Sequence, residues 1–306
     1  MTEAPDPHAA GAAYVDGRFC PIAEAAIPVT HWGYRRSDVT YDVVGVWNGA
    51  FFRLDEHIAR FRASMRTFRM DPPESDDDIR AMLHRLVRLS GLRAAYVAMD
   101  CLRASPAPGA PRHPSHVRAY IAAFAVPWVS MTTPEMDARG VHLVIAERTR
   151  RIPPGSVEPR VKNFHWADMT MGLFEAEERG GDMCVLLDYD GNVTEGPGFN
   201  VFSITGGRVA TPDRGGLDGI TRASAVELCD HLGLPCEVRP VPAEELRQAD
   251  EIFLTSTAGG IMPVSRIDGR RLNNDAPGPI STRLREAFWQ RRAEGWHATP
   301  IDYAAG

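Results

Sequence analysis

The sequence predicts an α+β protein of two domains, and three observations carry that expectation. The β-type apolar runs are short and mostly joined by tight turns, not by the helical crossovers a doubly wound parallel sheet requires. The helical periods fall in separate blocks instead of alternating strictly with strands. The 306 residues, at roughly 100–200 residues per domain, suffice for about two cores.

Element by element, Tyr14-Val15-Asp16-Gly17-Arg18-Phe19 places Asp-Gly between β-prone runs, a hairpin signal. Residues 40–46 followed by Trp47-Asn48-Gly49-Ala50-Phe51-Phe52 repeat it with Asn-Gly. Residues 55–70 predict a helix with Ile58, Phe61, Met65 and Phe68 on one face, stopped by Pro72-Pro73. Ser75 caps the next helix, with Asp76, Asp77 and Asp78 in its first turn, Arg85 and Arg88 near its end and Gly91 just past it. Strands at 96–103 and 117–126 flank a long proline-rich loop over 104–116. Residues 127–140 lack periodicity and form the expected linker between a smaller N-terminal domain, 1–126, and a larger C-terminal domain, 141–306. The latter opens on a strand at 141–146 and an irregular basic loop at 148–160, followed by a helix around 166–179. A meander built from 183–188, the Asp190-Gly191 turn and 200–204 comes next, then a helix at 221–232, a strand at 251–255 and a closing helix at 280–294.

Composition removes several classes of function. Against 40 acidic groups stand 34 basic ones, for a formal net charge of −6 and no basic block. Neither nucleic acid nor an anionic membrane is an expected partner of such a chain. No run approaches the roughly 18 apolar residues of a membrane span, and residues 1–13 lack a signal-peptide pattern. The five cysteines (Cys20, Cys101, Cys184, Cys229, Cys236) are odd in number and never spaced as C-x-x-C. Reduced thiols in a cytoplasmic protein are therefore expected, not disulfides or a zinc site. His113 and His116, in the proline-rich loop, are expected to be exposed, and no metal is expected. Walker A, Gly-x-Ser-x-Gly and His-Glu-x-x-His patterns are absent.

One basic residue stands apart. Of the 34 lysines and arginines, 33 are arginine and one is lysine, Lys162. A guanidinium cannot form a Schiff base, whereas a desolvated amine attacks carbonyls readily. Val161, Phe164 and Trp166 give Lys162 apolar surroundings; the alternative is a surface lysine left by chance. A Schiff-base lysine acting on amines calls for pyridoxal phosphate, and with it an anion site and an acidic partner for the ring nitrogen. Gly219-Ile220-Thr221, ahead of a helix, presents backbone N–H groups and a hydroxyl to an anion. Thr255-Ser256-Thr257-Ala258-Gly259-Gly260 closes a strand with hydroxyls and glycines and offers a second cradle. An ordinary helix cap and a tight turn are the alternatives. Glu195 lies in Thr194-Glu195-Gly196-Pro197-Gly198, where glycines let the backbone approach a ligand. Arg60, beside Phe61, either reaches a phosphate or is simply solvated.

Taken in order, these segments resemble the fold type IV pyridoxal-phosphate enzymes, the class of branched-chain and D-amino-acid aminotransferases. The similarity is closest to the (R)-selective amine transaminases. It is carried by Ser37-Asp38-Val39-Thr40-Tyr41-Asp42-Val43, by Trp47-x-Gly49-x-Phe51-Phe52-Arg53-Leu54-Asp55-x-His57-x-x-Arg60 and by Lys162-Asn163-x-x-Trp166. Thr194-Glu195-Gly196-x-Gly198-Phe199-Asn200, the run from Thr211 to Arg222, and Thr257-Ala258-Gly259-Gly260-Ile261-Met262-Pro263 complete it, from about Ala13 onward.

The resemblance implies a small N-terminal α/β domain and a larger C-terminal pseudo-barrel domain that carries Lys162. It makes Lys162 the cofactor lysine and proton shuttle and Glu195 the partner of the ring nitrogen. It sets Arg60, Ile220, Thr221 and Thr257 around the phosphate. By position, Tyr41, Val43, Tyr96, Ala98, Trp166 and Ala258 would line the substrate pocket. It also implies a homodimer in which one subunit's proline-rich loop covers the other's site. The implied reaction is a ping-pong transfer from an (R)-amine or D-amino acid to a keto acid such as pyruvate, through pyridoxamine phosphate. A lyase of the aminodeoxychorismate lyase kind and a branched-chain L-amino-acid aminotransferase are the alternatives. Three departures bear on the substrate. Arg36 replaces a histidine, Ala98 stands where an acidic residue is expected, and the loop arginine aligns with Gly109 or, with a gap, Arg112. Losing a carboxylate and gaining Arg36 favours substrates that carry a carboxylate; an interface ion pair is the other role open to Arg36.

Overall fold

The computed structural model describes residues 6–304. The absence of a signal-peptide pattern, read over residues 1–13, falls in part on residues 1–5, outside the described chain. Along the chain the elements are β1 (Ala12–Val15), β2 (Arg18–Pro21), α1 (Trp32–Arg36), β3 (Val39–Trp47), β4 (Ala50–Phe52), α2 (Leu54–Thr67), α3 (Asp76–Ser90), β5 (Ala95–Arg103) and β6 (Ala119–Pro127). They continue with α4 (Pro134–Arg139), β7 (Val141–Arg150), α5 (Ala167–Glu178), β8 (Met183–Leu187), β9 (Asn200–Thr205), β10 (Arg208–Thr211), α6 (Ile220–His231), β11 (Cys236–Val238) and α7 (Ala243–Gln248). β12 (Glu251–Ser256), β13 (Gly260–Ile267), β14 (Arg270–Arg271), α8 (Pro279–Ala293) and β15 (Ala298–Pro300) close the chain. The protein is α+β, and the chain divides into two compact units.

The first unit comprises Met1–Val129, Val161–Phe164 and Gly295–Gly306. Its sheet runs β15-β4-β3-β5-β6-β1-β2, with every pairing antiparallel. Both expected hairpins form. Asp16-Gly17 and Asn48-Gly49 have positive φ at both positions, the geometry whose twist matches the strands it joins. Period-2 alternation sends Val44, Val46, Val97, Met99, Cys101, Ile121 and Ala123 to one sheet face. There they bury against Ile58, Phe61 and Met65 of α2 and Ile79, Leu83 and Leu86 of α3. Helix α3 starts on a complete capping box: the Ser75 hydroxyl accepts from Asp78 N while the Asp78 carboxylate accepts from Ser75 N. It ends on Gly91 at φ 65°. The opposite sheet face carries Tyr41, Val43, Tyr96 and Ala98, brought side by side by the register Tyr41↔Asp100, Val43↔Ala98 and Gly45↔Tyr96.

The second unit comprises Ser130–Arg160 and His165–Glu294. Its sheet runs β11-β10-β9-β12-β13-β7-β8, with β14 on β13. Here the expected meander is corrected. β8 pairs in parallel with β7, not with β9, because α5 returns the chain in a β7-α5-β8 crossover. β13 with β7 and β10 with β11 are parallel too. The core gathers Ile145, Val185, Val201, Ile252, Leu254 and Val264. The expected linker at 127–140 contains α4, capped by Thr133 and too short to show a 3.6-residue period. The basic segment after 147 stays in β7 as far as Arg150. Lys162, placed by sequence in the C-terminal domain, counts with the first unit: Lys162 O accepts from Tyr41 N at 3.0 Å, and Asn163 bridges Thr40.

Candidate active site

Around Lys162 the first unit supplies a rigid frame. Residues 161–164 lie against the start of β3, whose Tyr41 N–H donates to Lys162 O. From the other side Ser64 Oγ accepts from Lys162 N at 3.2 Å. The half-buried side chain carries Nζ to 4.4 Å from the centroid of the Tyr41 ring, which is itself packed on Phe164 at 4.9 Å. The face of the Tyr41 ring attracts an ammonium through its quadrupole and holds Nζ in place.

Helix α2 repeats on one face at His57, Arg60 and Ser64, spaced three and four apart. Arg60 forks onto Asp42, Nε to Oδ2 and Nη2 to Oδ1, each at 2.8 Å. His57 Nδ1 is 2.7 Å from Oδ1 of the same carboxylate, and Val43 N donates to it at 2.8 Å. Asp42 is fully buried and His57 nearly so. Burial alone would raise the Asp42 carboxyl, but the Arg60 guanidinium and the His57 hydrogen bond hold it well below the usual carboxylate range. Burial pushes His57 down, aided by the charges of Arg60 and Lys162 and opposed by Asp42. Arg60 is thus a clamped guanidinium on a packed helix, not a solvated one.

In the second unit Glu195 is buried, with both oxygens engaged. Oε1 accepts from Arg151 Nε at 3.1 Å and Oε2 from Leu217 N at 2.8 Å. Arg151 continues to Asp168 at 2.6 Å, so a buried acid-base-acid chain fixes the Glu195 carboxylate. Acceptor-only oxygens in such a frame suit a ring N–H. Helix α6 begins at Ile220 with Gly219 as an N-cap that has no side-chain cap bond, leaving the first-turn N–H groups to an anion. Thr257 stands in the turn between β12 and β13, half-buried, and Thr255 Oγ1 on the strand leading into it is buried without a partner. These donors and the Glu195 acceptor fit the phosphate and ring nitrogen of pyridoxal phosphate.

One reading of glycine changes. At Gly196 a Cβ would lie 2.1 Å from the Phe199 ring and 2.3 Å from Cys184 O, so the chain's own packing demands that glycine, not a ligand. Gly259 and Gly260 belong to the hairpin turn joining β12 to β13, paired at Ser256↔Gly260. In the second unit Trp166 caps α5 and lies near Gly198, where a Cβ would be 3.6 Å from its ring; Ala258 is buried, its carbonyl accepting from Met131 N.

Arg35, Arg36 and Arg112 line one cavity of about 630 Å³ on the first unit, with Trp32 and the 105–110 part of the proline-rich loop. Arg36 stacks over Trp32, its guanidinium carbon 3.7 Å from the ring centroid; Gly109 borders the same cavity. His113 and His116 are exposed, and no metal-binding cluster occurs among the described residues. All five cysteines are free.

Asp42, His57, Ser64, Arg151 and Asp100 join the site only through the fold and are not among the residues that composition and motif single out. Asp42 and His57 stood inside quoted motifs, and an acidic residue on the helix-facing side of a strand is the signal that it has a basic partner. Asp100 keeps the period-2 phase of Tyr96 and Ala98, so the carboxyl missing at Ala98 reappears one pleat further along the same face.

Residues 40–267 match the amino-transferase class IV family model. A D-alanine aminotransferase of Bacillus licheniformis is 30% identical over 276 residues, 89% of this chain and 94% of that protein. A branched-chain-amino-acid aminotransferase of Pseudomonas aeruginosa is 30% identical over 241 residues, 78% of each. Among solved structures, the branched-chain amino acid aminotransferase of Thermobaculum terrenum in its PLP form superposes with a TM-score of 0.84 at 27% identity, covering 95% of this chain and 98% of that one. With the family model spanning most of the chain, this protein belongs to the class IV aminotransferases.

Proposed function

We propose that the protein transfers an amino group from a D-amino acid or (R)-amine to a keto acid such as pyruvate. The class uses pyridoxal phosphate, which when bound supplies the electron sink for breaking the substrate C–H bond. Lys162 would hold the cofactor and, once displaced, carry the proton between substrate carbon and cofactor carbon from Nζ. Arg60, fixed by Asp42, and the N–H groups at Ile220 and Thr221 would bind the phosphate, with Thr257 beside them. Glu195, braced by Arg151 and Leu217 N, would accept the ring N–H. Tyr41, Val43, Tyr96 and Ala98, which share one face of the first unit's sheet, would line the substrate side of that unit.

The observation that carries the substrate class is the arginine-lined cavity: Arg36 and Arg112 share one recess with Arg35. A carboxylate entering it would meet planar, paired donors. The D-alanine aminotransferase relative supports the same reading. The branched-chain relatives and structures favour a second reading, transfer from branched-chain L-amino acids. A homodimer suits the exposed Met171, Leu173 and Phe174 on α5, a patch that a second copy would cover; sedimentation tests it. No helix among the described residues is long and apolar enough to cross a membrane.

A donor screen with pyruvate separates the readings. D-alanine, L-leucine and both enantiomers of 1-phenylethylamine are offered to the protein and to Arg36→Ala. The proposal expects D-alanine and the (R)-amine to react, with Arg36→Ala losing D-alanine selectively. Preferred turnover of L-leucine would replace it with the second reading.

A further inference from the structure

Asp100 has no place in the chemistry described so far. It lies on β5 in the row Tyr41–Asp100–Ala122, between Ala98 and Leu102 along its own strand. Its neighbours on this face are therefore one aromatic ring, two methyl groups and a leucine. The half-buried carboxyl takes no hydrogen bond from any described residue, and burial alone acts on it, raising it to about 7. No arginine or histidine shares its row or the flanking positions of β3 and β6, where the titratable groups on this face are the phenols of Tyr41, Tyr96 and Tyr120; α1, packed on β5 at Leu102, carries Arg35 and Arg36, and Lys162 Nζ lies over the Tyr41 ring. Arg103 turns to the other face, where it meets Asp38 and the Phe68 carbonyl.

A carboxyl set among small and aromatic side chains with no cation of its own fits an ammonium arriving from outside. The side chains of Ala98 and Ala122, on either side, end at Cβ. Tyr41, its partner across the register, carries the Lys162 Nζ over its ring at 4.4 Å. Neighbouring strands lie about 4.8 Å apart, so the carboxyl and the ring that carries Lys162 Nζ are one strand apart on this face. We propose that Asp100 is a specificity residue that binds a second, distal ammonium group on the amino donor, so that the preferred donors are diamino acids or diamines. This rests on the transaminase reading above and adds the side-chain class of its substrate.

The test compares matched donors, ornithine against norvaline and 1,5-diaminopentane against pentylamine, each amino acid as both enantiomers, with pyruvate as acceptor. kcat/KM is measured for the holoenzyme and for Asp100→Asn and Asp100→Ser. The wild type is expected to prefer the diamino member of each pair by about tenfold or more, the range of a charge-assisted hydrogen bond. Both variants should lose that preference while retaining norvaline turnover. A wild-type preference for norvaline and pentylamine overturns the inference without any variant, and so does an unchanged ratio in a folded variant. If no donor of either kind transfers its amino group, the transaminase reading itself fails, an outcome distinct from equal use of both members.

Discussion

Replacing Asp100 by asparagine removes a charge and keeps the shape, which makes its effect on stability calculable. Burial moves the carboxyl from the usual 3.8 to about 7. The folded chain therefore binds a proton that the unfolded chain has released throughout that interval. Stability must fall as pH rises through it and level off above about 7. A move of that size corresponds to about 4 kcal/mol as a ceiling, and residual solvent contact reduces it to roughly half. Asparagine carries no such penalty, so Asp100→Asn should be the more stable protein by about 2–4 kcal/mol at pH 8 and nearly equal to wild type at pH 4. Urea unfolding of both proteins from pH 4 to 9 reads the gap directly. Parallel curves, or a gap that closes as pH rises, would show that a counter-charge already meets Asp100 in the folded protein. The same substitution is expected to remove donor selectivity, so the carboxyl costs stability where it serves binding.

Three further outcomes follow, each from one unit's own residues. Borohydride reduction of the holoenzyme should fix the cofactor on a single peptide containing Lys162, and Lys162→Arg should abolish turnover with the circular dichroism spectrum unchanged; label on any other peptide refutes the assignment. Asp42→Asn should unclamp Arg60 and leave buried charge uncompensated, costing about 3–5 kcal/mol in urea unfolding and weakening pyridoxal phosphate binding in an absorbance titration. Unaltered cofactor affinity in a folded Asp42→Asn would separate Arg60 from the phosphate. Gly196→Ala should destabilise by about 2–3 kcal/mol, because the added methyl meets the Phe199 ring and Cys184 O; an unchanged midpoint would show that the segment relaxes freely.

Local signals made the first unit legible. Asp16-Gly17 and Asn48-Gly49 demanded left-handed turns, Ser75 with Asp78 demanded a helix start, and each formed where its chemistry pointed. The second unit was less so because its decisive pairings are remote. Nothing local in Met183–Leu187 tells whether it pairs with the next strand or back across α5 with β7, and a buried strand reads as a plain apolar run in either case. Residues 161–164 show the same limit, since their attachment to Thr40 and Tyr41 is a contact of high sequence separation. Residue chemistry was legible in part. A single lysine among 33 arginines stood out from composition, and Glu195 from its turn. Their supporting partners did not, because Asp42, Arg151 and Asp168 are ordinary residue types that acquire meaning only once folding buries them.

That difference has a physical cause. A reacting group is chosen for intrinsic chemistry, which its residue type announces: only an amine forms the Schiff base, and only an acceptor takes a ring N–H. A supporting group is chosen for position, and position is a property of the fold. Asp42 lies on the β3 face covered by α2 and can hold Arg60 only because that helix packs there and turns Arg60 inward. Arg151 lies one residue beyond β7 and reaches both Glu195 and Asp168, which come from separate stretches of chain. Each support is a buried charge network, costly if one member is lost and stiff when complete. Stiffness suits the roles proposed for Arg60 at the phosphate and Glu195 at the ring nitrogen, since a cofactor must keep one pose while two different substrates exchange beside it. Asp100 belongs to neither network. Its carboxyl takes no hydrogen bond from the described residues, and on the face proposed to line the substrate pocket such a group is free to answer to the substrate.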